Sequence, residues 1–337
     1  MNYIELGKTG LMCAEISFGG IPLQRSDAAN AVNVVDALER HGMNFIDTAR
    51  GYTVSEEYLG AALEGRRDKF ILASKAMARS CDGMRNEIEA SLKGLRTSYI
   101  DLYQIHNLPA DEIERIFASD GAYQALYDAK KAGKIGHIGI TSHSLETLDM
   151  IVAKYSEYFE TIMFPFNIVE LQGSEVLKSA RQKGIGTICM KPLAGGNLDD
   201  YELALRFISQ SDAIDISVVG MGSAEEVVRN AAAAENLTPL SPYDITKCEE
   251  IRKELGSRFC RRCDYCAPCT VGINISTCFL LSNYLRKYDL AEWANARYDA
   301  LSVYAGACIG CRVCESRCPY NLPICEMMRD IARDFGK

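Results

Sequence analysis

The sequence lacks several features that would assign it to a class of protein at once. It has no run of Lys and Arg that would bind a phosphate backbone or an anionic membrane, and its net charge is −8. Nucleic acid is therefore not an expected partner. No apolar stretch is long enough to span a bilayer, and the opening MNYIELGKTG lacks the charged and apolar regions of a secretory leader. We therefore expect a cytoplasmic protein with no membrane partner.

The composition allows one large domain followed by a small one. The chain has 337 residues, of which 48% are hydrophobic and 24% charged, so it can bury a sizeable core. The hydrophobic pattern changes after Pro239 and Pro242, and most of the cysteines follow that point. We therefore predict a first domain over residues 1–240 and a second over residues 241–337, with a helix joining them.

The first domain alternates short apolar runs, rich in Ile, Val and Phe, with longer segments of helical periodicity. Eight of the runs are predicted strands: EISFGG, NFIDTAR, FILASK, IDLYQIH, HIGITS, TIMFPF, GTICMK and ISVVGM. Eight βα units predict the α/β class and a closed (β/α)8 TIM barrel, which needs about 200 to 250 residues. The preceding NYIELGKTGLMCAEI predicts two short strands that plug the barrel floor.

An open, doubly wound sheet is the alternative architecture. Such a sheet usually carries spaced glycines directly after its first strand, where a dinucleotide binds. The corresponding stretch here, ISFGGIPLQR, lacks that spacing and has no helix opening directly after the glycines. The barrel is therefore favoured.

Four polar residues fall where the second, third and fourth predicted strands end. Asp47 closes the second strand, Tyr52 follows in the loop, Lys75 ends the third strand and His106 ends the fourth. All should face one mouth of the barrel, which is where the active sites of this fold lie. Each residue also has a structural explanation, as a helix cap, a half-buried aromatic, a rim ion pair or a hydrogen-bonded histidine. Together they suit protonation of a carbonyl oxygen, because a nearby ammonium would lower the tyrosine pKa from about 10.

These motifs resemble the aldo-keto reductases. The resemblance is carried by ELGKTGLMCAEISFGG, NFIDTARGYTVSEEYLGAAL, the lysine of FILASK and the histidine of IDLYQIH, and it covers about residues 1 to 240. It implies that Tyr52 is the general acid or base and that Lys75 and Asp47 tune it. It also implies that His106 orients the substrate carbonyl while a nicotinamide delivers hydride. Thr53 departs from the family pattern, which usually has glycine after the tyrosine.

The same resemblance implies where the nicotinamide nucleotide would bind. The residues implied are Thr141, Ser142, Asn167 and Met190 on the nicotinamide side, and Gly220, Ser223, Glu226 and Asn230 on the adenosine side. Met190 replaces the usual stacking aromatic, and Ser223 could equally be only a helix cap. Because Glu226 stands where NADP-preferring relatives often have arginine, its carboxylate would repel a 2′-phosphate. We therefore predict NAD(H) over NADP(H), although Arg229 adds a positive charge nearby.

The cysteines indicate a cofactor in the second domain. Ten of the 14 lie between Cys260 and Cys325, and this clustering favours metal over disulfides. CIGCRVCESRCP, with Pro319 after its last cysteine, has the spacing of bacterial-type ferredoxins, in which the fourth cysteine crosses to a second 4Fe-4S cluster. CRRCDYCAPC supplies a partner motif, with a last gap one residue shorter than usual.

We predict an α-helical, ferredoxin-like domain with two 4Fe-4S clusters. The first cluster is assigned to Cys260, Cys263, Cys266 and Cys318, and the second to Cys308, Cys311, Cys314 and Cys269. A pair of zinc sites is the alternative, since four cysteines also suit tetrahedral zinc. The remaining cysteines, Cys13, Cys81, Cys189, Cys248, Cys278 and Cys325, are predicted to be structural.

The two halves together predict a nicotinamide-dependent oxidoreductase that interconverts a small carbonyl compound and an alcohol, with clusters that are structural or electron-transferring. One alternative is an electron-relay protein that uses the barrel as a scaffold and serves a redox partner protein. Another is a Schiff-base aldolase built on Lys75. No flavin motif that could link hydride to one-electron transfer is visible in the sequence.

Overall fold

The computed structural model describes residues 1–261, 265–287, 290–318 and 320–337. These residues form two compact units, Met1–Leu240 and Ser241–Lys337. Each unit has a buried hydrophobic core of its own. Within the described ranges, no helix combines the length and the apolar character needed to cross a bilayer.

The first unit opens with an antiparallel hairpin of β1 (Tyr3–Glu5) and β2 (Met12–Ala14). Leu6, in the turn of this hairpin, is fully buried among side chains that fill the barrel interior. Gly7 follows with φ of +57°, and a Cβ placed there would lie 2.3 Å from the backbone nitrogen of Gly186. The hairpin turn therefore packs backbone to backbone against the start of a barrel strand, as expected for a floor plug.

Eight parallel strands close the first unit into a barrel. They are β3 (Ile16–Gly19), β4 (Phe45–Asp47), β5 (Ile71–Ala76), β6 (Ile100–Ile105), β7 (Ile135–Thr141), β8 (Thr161–Pro165), β9 (Gly186–Met190) and β10 (Ile216–Gly220). Neighbours in the chain are neighbours in the sheet, and β10 pairs with β3 to complete the ring. The predicted (β/α)8 barrel and all eight predicted strands are therefore confirmed.

Nine α-helices are described in the first unit, on the outside of the barrel. They are α1 (Ala28–His41), α2 (Ser55–Ala62), α3 (Cys81–Gly94), α4 (Ile113–Phe117), α5 (Ala122–Lys131), α6 (Leu145–Lys154), α7 (Ser174–Gln182), α8 (Tyr201–Ser209) and α9 (Ala224–Glu235). Several begin at side-chain caps, because an Asp or Ser oxygen satisfies one of the free N–H groups of the first turn. Asp27, Ser80, Ser144, Asp200 and Ser223 accept such bonds.

Alternation along the strands sorts side chains into two layers. One set, including Phe45, Ala73 and Leu102, points into the barrel and packs with the buried plug residue Leu6. The other set, including Ile46 and Leu72, packs outward against the helices. Asp47, Lys75 and Gln104 each lie two residues after one of these inward-pointing residues. Their side chains therefore also point into the barrel, near its carboxyl-end mouth.

The second unit is helical in the residues described. Its helices are α10 (Pro242–Gly256), α11 (Ile275–Lys287), α12 (Ala291–Asp299), α13 (Val313–Arg317) and α14 (Ile324–Phe335). Ser241 and Asp244 form a capping box at the start of α10, with Pro242 in the first turn. Tyr298 of α12 is buried and stacks on Phe335 of α14, with ring centroids 3.9 Å apart.

The cysteines of the first unit and of α10 are mostly buried. Cys13, Cys189 and Cys248 are buried, as predicted for small apolar side chains. Cys81 differs, because it is the first residue of the surface helix α3 and is only half-buried. Its sulfur accepts a hydrogen bond from Arg85 Nη2 at 3.3 Å.

Candidate functional sites

The four predicted catalytic residues lie at the carboxyl-end mouth of the barrel. Asp47 is the last residue of β4, Lys75 lies next to the end of β5, and His106 directly follows β6. Asp47 and Lys75 continue the inward-facing sets that begin with Phe45 and Ala73. Tyr52 lies in the loop that leads from β4 to α2. The parallel strands bring these residues together although they are far apart in sequence.

Lys75 is the centre of this group. Its Nζ donates to Asp47 Oδ2 at 2.6 Å and to the Thr48 carbonyl at 2.8 Å. The same nitrogen lies 4.8 Å from the centroid of the Tyr52 ring and is hydrogen-bonded to the tyrosine side chain. Lys75 is only 2% exposed. Burial disfavours the ammonium, but the Asp47 carboxylate beside it raises the pKa of Lys75 above its usual value.

His106 forms the other wall of the site. Its ring lies edge-on to Tyr52, with centroids 6.0 Å apart. Burial, together with the positive charges of Lys75 and Arg79, lowers the pKa of His106 to about 3. Its Nδ1 is buried and has no hydrogen-bond partner among the described residues. The imidazole is therefore neutral near pH 7 and can offer a hydrogen bond to a polar group that enters the site.

Thr53 is the residue at which the sequence departs from the pattern of the family that it resembles. The residue has φ of +46°, a left-handed conformation that costs a β-branched side chain energy. The loop nevertheless holds its shape, because Tyr52 N donates to the Ala49 carbonyl and Ser55 N donates to the Tyr52 carbonyl. The departure from the family pattern is therefore accommodated as local strain next to Tyr52.

Gln104 also belongs to the site and was missed in the sequence. It pairs with Lys75 across β5 and β6, is fully buried, and donates from Nε2 to Asp47 Oδ1 at 3.4 Å. Its Oε1 is buried without a hydrogen-bond partner among the described residues. Alternation along IDLYQIH gave a usable signal, because Leu102, Gln104 and His106 share one side of the strand.

A buried ion pair supports the loop that carries Tyr52. Glu56, in the first turn of α2, is 1% exposed and pairs with Arg50 of the same loop. Its other oxygen accepts from Ser74 Oγ at 2.6 Å, one residue before Lys75. This pair ties the tyrosine loop to β5 and was not identified from the sequence.

The residues predicted on the nicotinamide side all lie at or just after strand ends. Thr141 ends β7, Ser142 follows it, Asn167 follows β8 and Met190 ends β9. Their polar atoms hold neighbouring loops: Thr141 Oγ1 accepts from Asn107 N at 2.7 Å, and Ser142 Oγ donates to the Leu108 carbonyl at 2.8 Å. Asn167 likewise donates to the Lys191 carbonyl at 3.0 Å. These residues shape the rim of the mouth.

The residues predicted on the adenosine side gather around the start of α9. Gly220 ends β10, and Ser223 caps α9 by accepting from Glu226 N at 3.3 Å. The Glu226 carboxylate folds back to accept the Gly222 N–H. Asn230 Nδ2 donates to the Glu226 carbonyl at 2.8 Å, while its Oδ1 is buried without a hydrogen-bond partner among the described residues. Ser223 thus caps the helix, and Glu226 ties the start of the helix to the preceding turn at Gly222.

Arg229 is turned away from this cap. Its guanidinium lies 5.6 Å from the centroid of the Tyr201 ring, at the start of α8. The first turn of α9 carries two carboxylates, those of Glu225 and Glu226, while the positive charge of Arg229 lies against the Tyr201 ring.

Two cavities in the second unit collect the predicted cluster ligands. The first is lined by Cys260, Cys266 and Cys318, together with apolar residues such as Phe279 and Leu322. Cys263, the fourth predicted ligand of this cluster, lies outside the described residues, as does Pro319. Cys260 and Cys266 belong to the first motif and Cys318 to the second, so cysteines of both motifs line this cavity.

The second cavity contains all four cysteines predicted for the second cluster. Its lining residues include Cys269, Cys308, Cys311 and Cys314, with apolar side chains such as Ile273 and Met328. Cys269 belongs to the first motif and the other three to the second, so cysteines of both motifs line this cavity. One further cysteine, Cys325, also lines this cavity.

The spacing of these cysteines bears on the alternative of zinc. A single metal ion needs its ligands gathered within about 2.3 Å of one point. Within the part of the chain that the structure describes, no group of three or more Cys, His, Asp or Glu side chains is gathered in that way. The four predicted cysteines of the second cavity are accompanied by apolar side chains such as Ile273 and Met328.

Comparison with known proteins gives two family matches. Residues 15–202 match the aldo/keto reductase family, and residues 259–323 match a 4Fe-4S dicluster domain. The aldo-keto reductase YhdN of Bacillus subtilis (strain 168) is 32% identical over 226 residues, covering 60% of this chain and 66% of YhdN. The L-galactose dehydrogenase of Arabidopsis thaliana is 27% identical over 292 residues, covering 71% of this chain and 91% of that protein.

A solved structure has the same barrel. The holo form of aldo-keto reductase AKR11C1 from Bacillus halodurans superposes with a TM-score of 0.66 at 25% identity, covering 74% of this chain and 96% of that one. The family match and the barrel therefore agree over the first unit, and the dicluster match lies within the second.

Proposed function

The chain belongs to the aldo/keto reductase family and carries a 4Fe-4S dicluster domain, and from that premise we propose that it interconverts a small carbonyl compound and an alcohol with a nicotinamide cofactor. The observation that carries this proposal is the buried lysine between an acid and a tyrosine at the barrel mouth. Lys75 binds Asp47 and reaches Tyr52, and both Lys75 and Asp47 are buried.

The roles follow from the charges of these side chains. Tyr52 would donate its hydroxyl proton to the carbonyl oxygen, and the Lys75 ammonium would stabilise the phenolate left behind. Asp47 keeps Lys75 charged and directed toward the tyrosine. The neutral His106 would hold the carbonyl oxygen in place. When bound at the mouth, a nicotinamide would supply the hydride.

A Schiff-base aldolase is not favoured by this arrangement. Such an enzyme needs a lysine that loses its proton easily, so that the neutral amine can attack a carbonyl. The Asp47 carboxylate raises the pKa of Lys75 and keeps the amine protonated. An aldolase would also have no need of the tyrosine beside it. Borohydride trapping of a carbonyl compound on Lys75 would contradict this reasoning.

We further propose that NAD(H) is preferred over NADP(H). The support is the pair of carboxylates, Glu225 and Glu226, in the first turn of α9, where the resemblance places the adenosine end. Either charge would repel a 2′-phosphate, and Arg229 lies against Tyr201. The buried Oδ1 of Asn230 has the chemistry to accept a hydrogen bond from the adenine amino group.

We also propose that the second unit holds two 4Fe-4S clusters with crossed ligation. The first would be held by Cys260, Cys263, Cys266 and Cys318, and the second by Cys308, Cys311, Cys314 and Cys269. The support is the pair of apolar cavities that collect the described cysteines of both motifs. Apolar surroundings and limited access to solvent are properties that tune such clusters.

The test is an anaerobic titration of cluster-loaded protein with NADH, first alone and then with a panel of small aldehydes and ketones. Absorbance follows NADH oxidation, and EPR follows cluster reduction. We expect NADH to be consumed only when a carbonyl is present, and the Tyr52→Phe variant to lose that reaction. Consumption that continues unchanged in Tyr52→Phe would overturn the proposal.

The second candidate function is an electron relay that serves a redox partner protein. The same titration distinguishes it from a carbonyl reductase. Hydride carries two electrons, whereas a 4Fe-4S cluster normally accepts one, so direct exchange needs an intermediary such as flavin. Reduction of the clusters by NADH alone would show that the cofactor sites are electronically connected. Clusters that stay oxidised while the carbonyl is reduced would instead indicate a structural role.

A further inference from the structure

The second cluster cavity contains one cysteine more than a 4Fe-4S cluster needs. Cys325 lines it together with Cys269, Cys308, Cys311 and Cys314. The spacing of the two motifs gives this residue no role, because it lies beyond both of them. It is the second residue of α14 and is 5% exposed. The structure thus places Cys325 in the cluster cavity, although the spacing of the motifs does not predict it there.

The thiol of Cys325 lies beside two of the predicted ligands. Cys325 lines the same cavity as Cys308 and Cys314. It also belongs with Cys314 to one buried cluster, against which Cys308 packs. The backbone N–H of Cys325 donates to Glu315 Oε1 at 2.9 Å, which fixes the start of α14 against α13. The fifth sulfur is therefore held next to the ligand sulfurs by rigid elements.

Cys278 provides a comparison within the same unit. It is also fully buried, in α11, and it lies near Cys269. It is absent from the described residues that line either cavity. Burial alone therefore does not bring a cysteine into the cluster space, and the position of Cys325 calls for a different explanation from apolar packing.

We propose that Cys325 is a reserve ligand of the second 4Fe-4S cluster, able to bind the iron that is left open when Cys308 or Cys314 cannot serve. The inference rests on the proposed cluster. When one of these ligands is lost, the Cys325 thiol releases its proton to solvent and forms an Fe–S bond through the freed sulfur lone pair. The oxidation state of the cluster does not change in this exchange.

The test uses the full-length chain, reconstituted anaerobically, with iron and sulfide content and EPR of the reduced protein as readouts. The wild-type protein should hold about eight iron atoms. Cys308→Ala and Cys314→Ala should each retain about eight. Adding Cys325→Ser to either variant should remove the second cluster and leave about four. Adding Cys278→Ser instead should leave the iron content unchanged.

Cys311→Ala gives a second control. Cys311 is exposed, whereas Cys325 is buried, and the Cys311 sulfur contacts Thr270 Oγ1 at 3.2 Å. This variant should lose iron whether or not Cys325 is present. Circular dichroism of each variant shows whether the helices have formed.

Two results would overturn the inference. One is loss of the second cluster from both Cys308→Ala and Cys314→Ala while Cys325 is present. The other is full iron content in Cys308→Ala/Cys325→Ser. A wild-type protein without clusters would instead overturn the cluster assignment itself, so the two failures can be told apart.

Discussion

At the scale of single residues, we expect the buried pair of Lys75 and Asp47 to affect both the proposed activity and the stability of the fold. Tyr52→Phe removes only the proton donor, so kcat should fall by about 100- to 10,000-fold while the melting temperature stays unchanged.

Lys75→Met should also abolish activity. It leaves the buried Asp47 carboxylate without its partner, which should cost about 3 to 5 kcal/mol of folding free energy as well. Steady-state kinetics and thermal melts measure the two effects.

The double variant Asp47→Asn/Lys75→Met separates these effects further. Removing both charges should recover much of the stability that Lys75→Met loses, but none of the activity. Tyr58→Phe, in α2, is the matched control for the tyrosine change and should behave like the wild type in both assays. If Lys75→Met proved as stable as the wild type, the ion pair would not be the buried contact described here.

His106 makes the stability of the barrel depend on pH. An unfolded histidine takes up a proton near pH 6.5, whereas burial and the nearby Lys75 and Arg79 lower the pKa of His106 in the folded protein to about 3. The unfolded state therefore binds more protons between these values, and stability falls as the pH drops from 6.5 toward 3. The contribution is at most about 1.4 kcal/mol per pH unit.

Melting temperatures at pH 7.5 and pH 5 test this dependence. The wild-type protein should lose stability on acidification, and His106→Gln should lose less. His41→Gln, in α1, changes the number of histidines without touching the site and should follow the wild type. Equal acid sensitivity in all three proteins would show that His106 is not the group responsible.

At the scale of elements, the hairpin of β1 and β2 depends on a close backbone contact. Gly7→Ala would place a Cβ 2.3 Å from the Gly186 nitrogen in a left-handed conformation, so we expect a loss of about 3 kcal/mol or more. Gly10→Ala also has a positive φ, but no atom lies within 4 Å of its added Cβ. It should cost only about 1 kcal/mol. Chemical denaturation distinguishes the two, and equal losses would contradict the packing explanation.

The start of α9 should set nucleotide choice. Glu226→Gln keeps an acceptor for the Gly222 N–H but removes the charge, so the ratio of the KM values for NADPH and NADH should fall by about fivefold, equivalent to about 1 kcal/mol. Glu225→Gln removes a charge from the same turn, but its side chain is exposed. It should therefore change the ratio less. An unchanged ratio in Glu226→Gln would remove the basis for the proposed preference.

At the scale of the whole molecule, the fold was predictable because its signals repeat. Each strand of the barrel is a short apolar run between helical segments, so eight weak signals add to one strong prediction. The strand-end positions of Asp47, Lys75 and His106 followed from that repetition. Motif spacing likewise led to the proposed grouping of the cysteines, because crossing of the fourth cysteine is a property of ferredoxin motifs.

Contacts between residues distant in sequence were not predictable in the same way. Gln104 lies beside Lys75 only because β5 and β6 pair in one register. Glu56 reaches Arg50 and Ser74 only because α2 returns over the end of β4 and β5. Cys325 enters the cluster cavity through the packing of α13 and α14, which no spacing rule encodes.

The two units should differ in their dependence on iron. The first unit has a continuous core of apolar side chains between barrel and helices, so it should fold without a metal. The second unit has a smaller core that includes Cys314, Cys318 and Cys325, and binding of clusters should supply much of its folding free energy. Removal of iron with a chelator should therefore melt the helices of the second unit while a cooperative thermal transition of the barrel remains. Circular dichroism and calorimetry of the full-length chain measure this, and one shared transition that disappears with the iron would show instead that the barrel depends on the clusters.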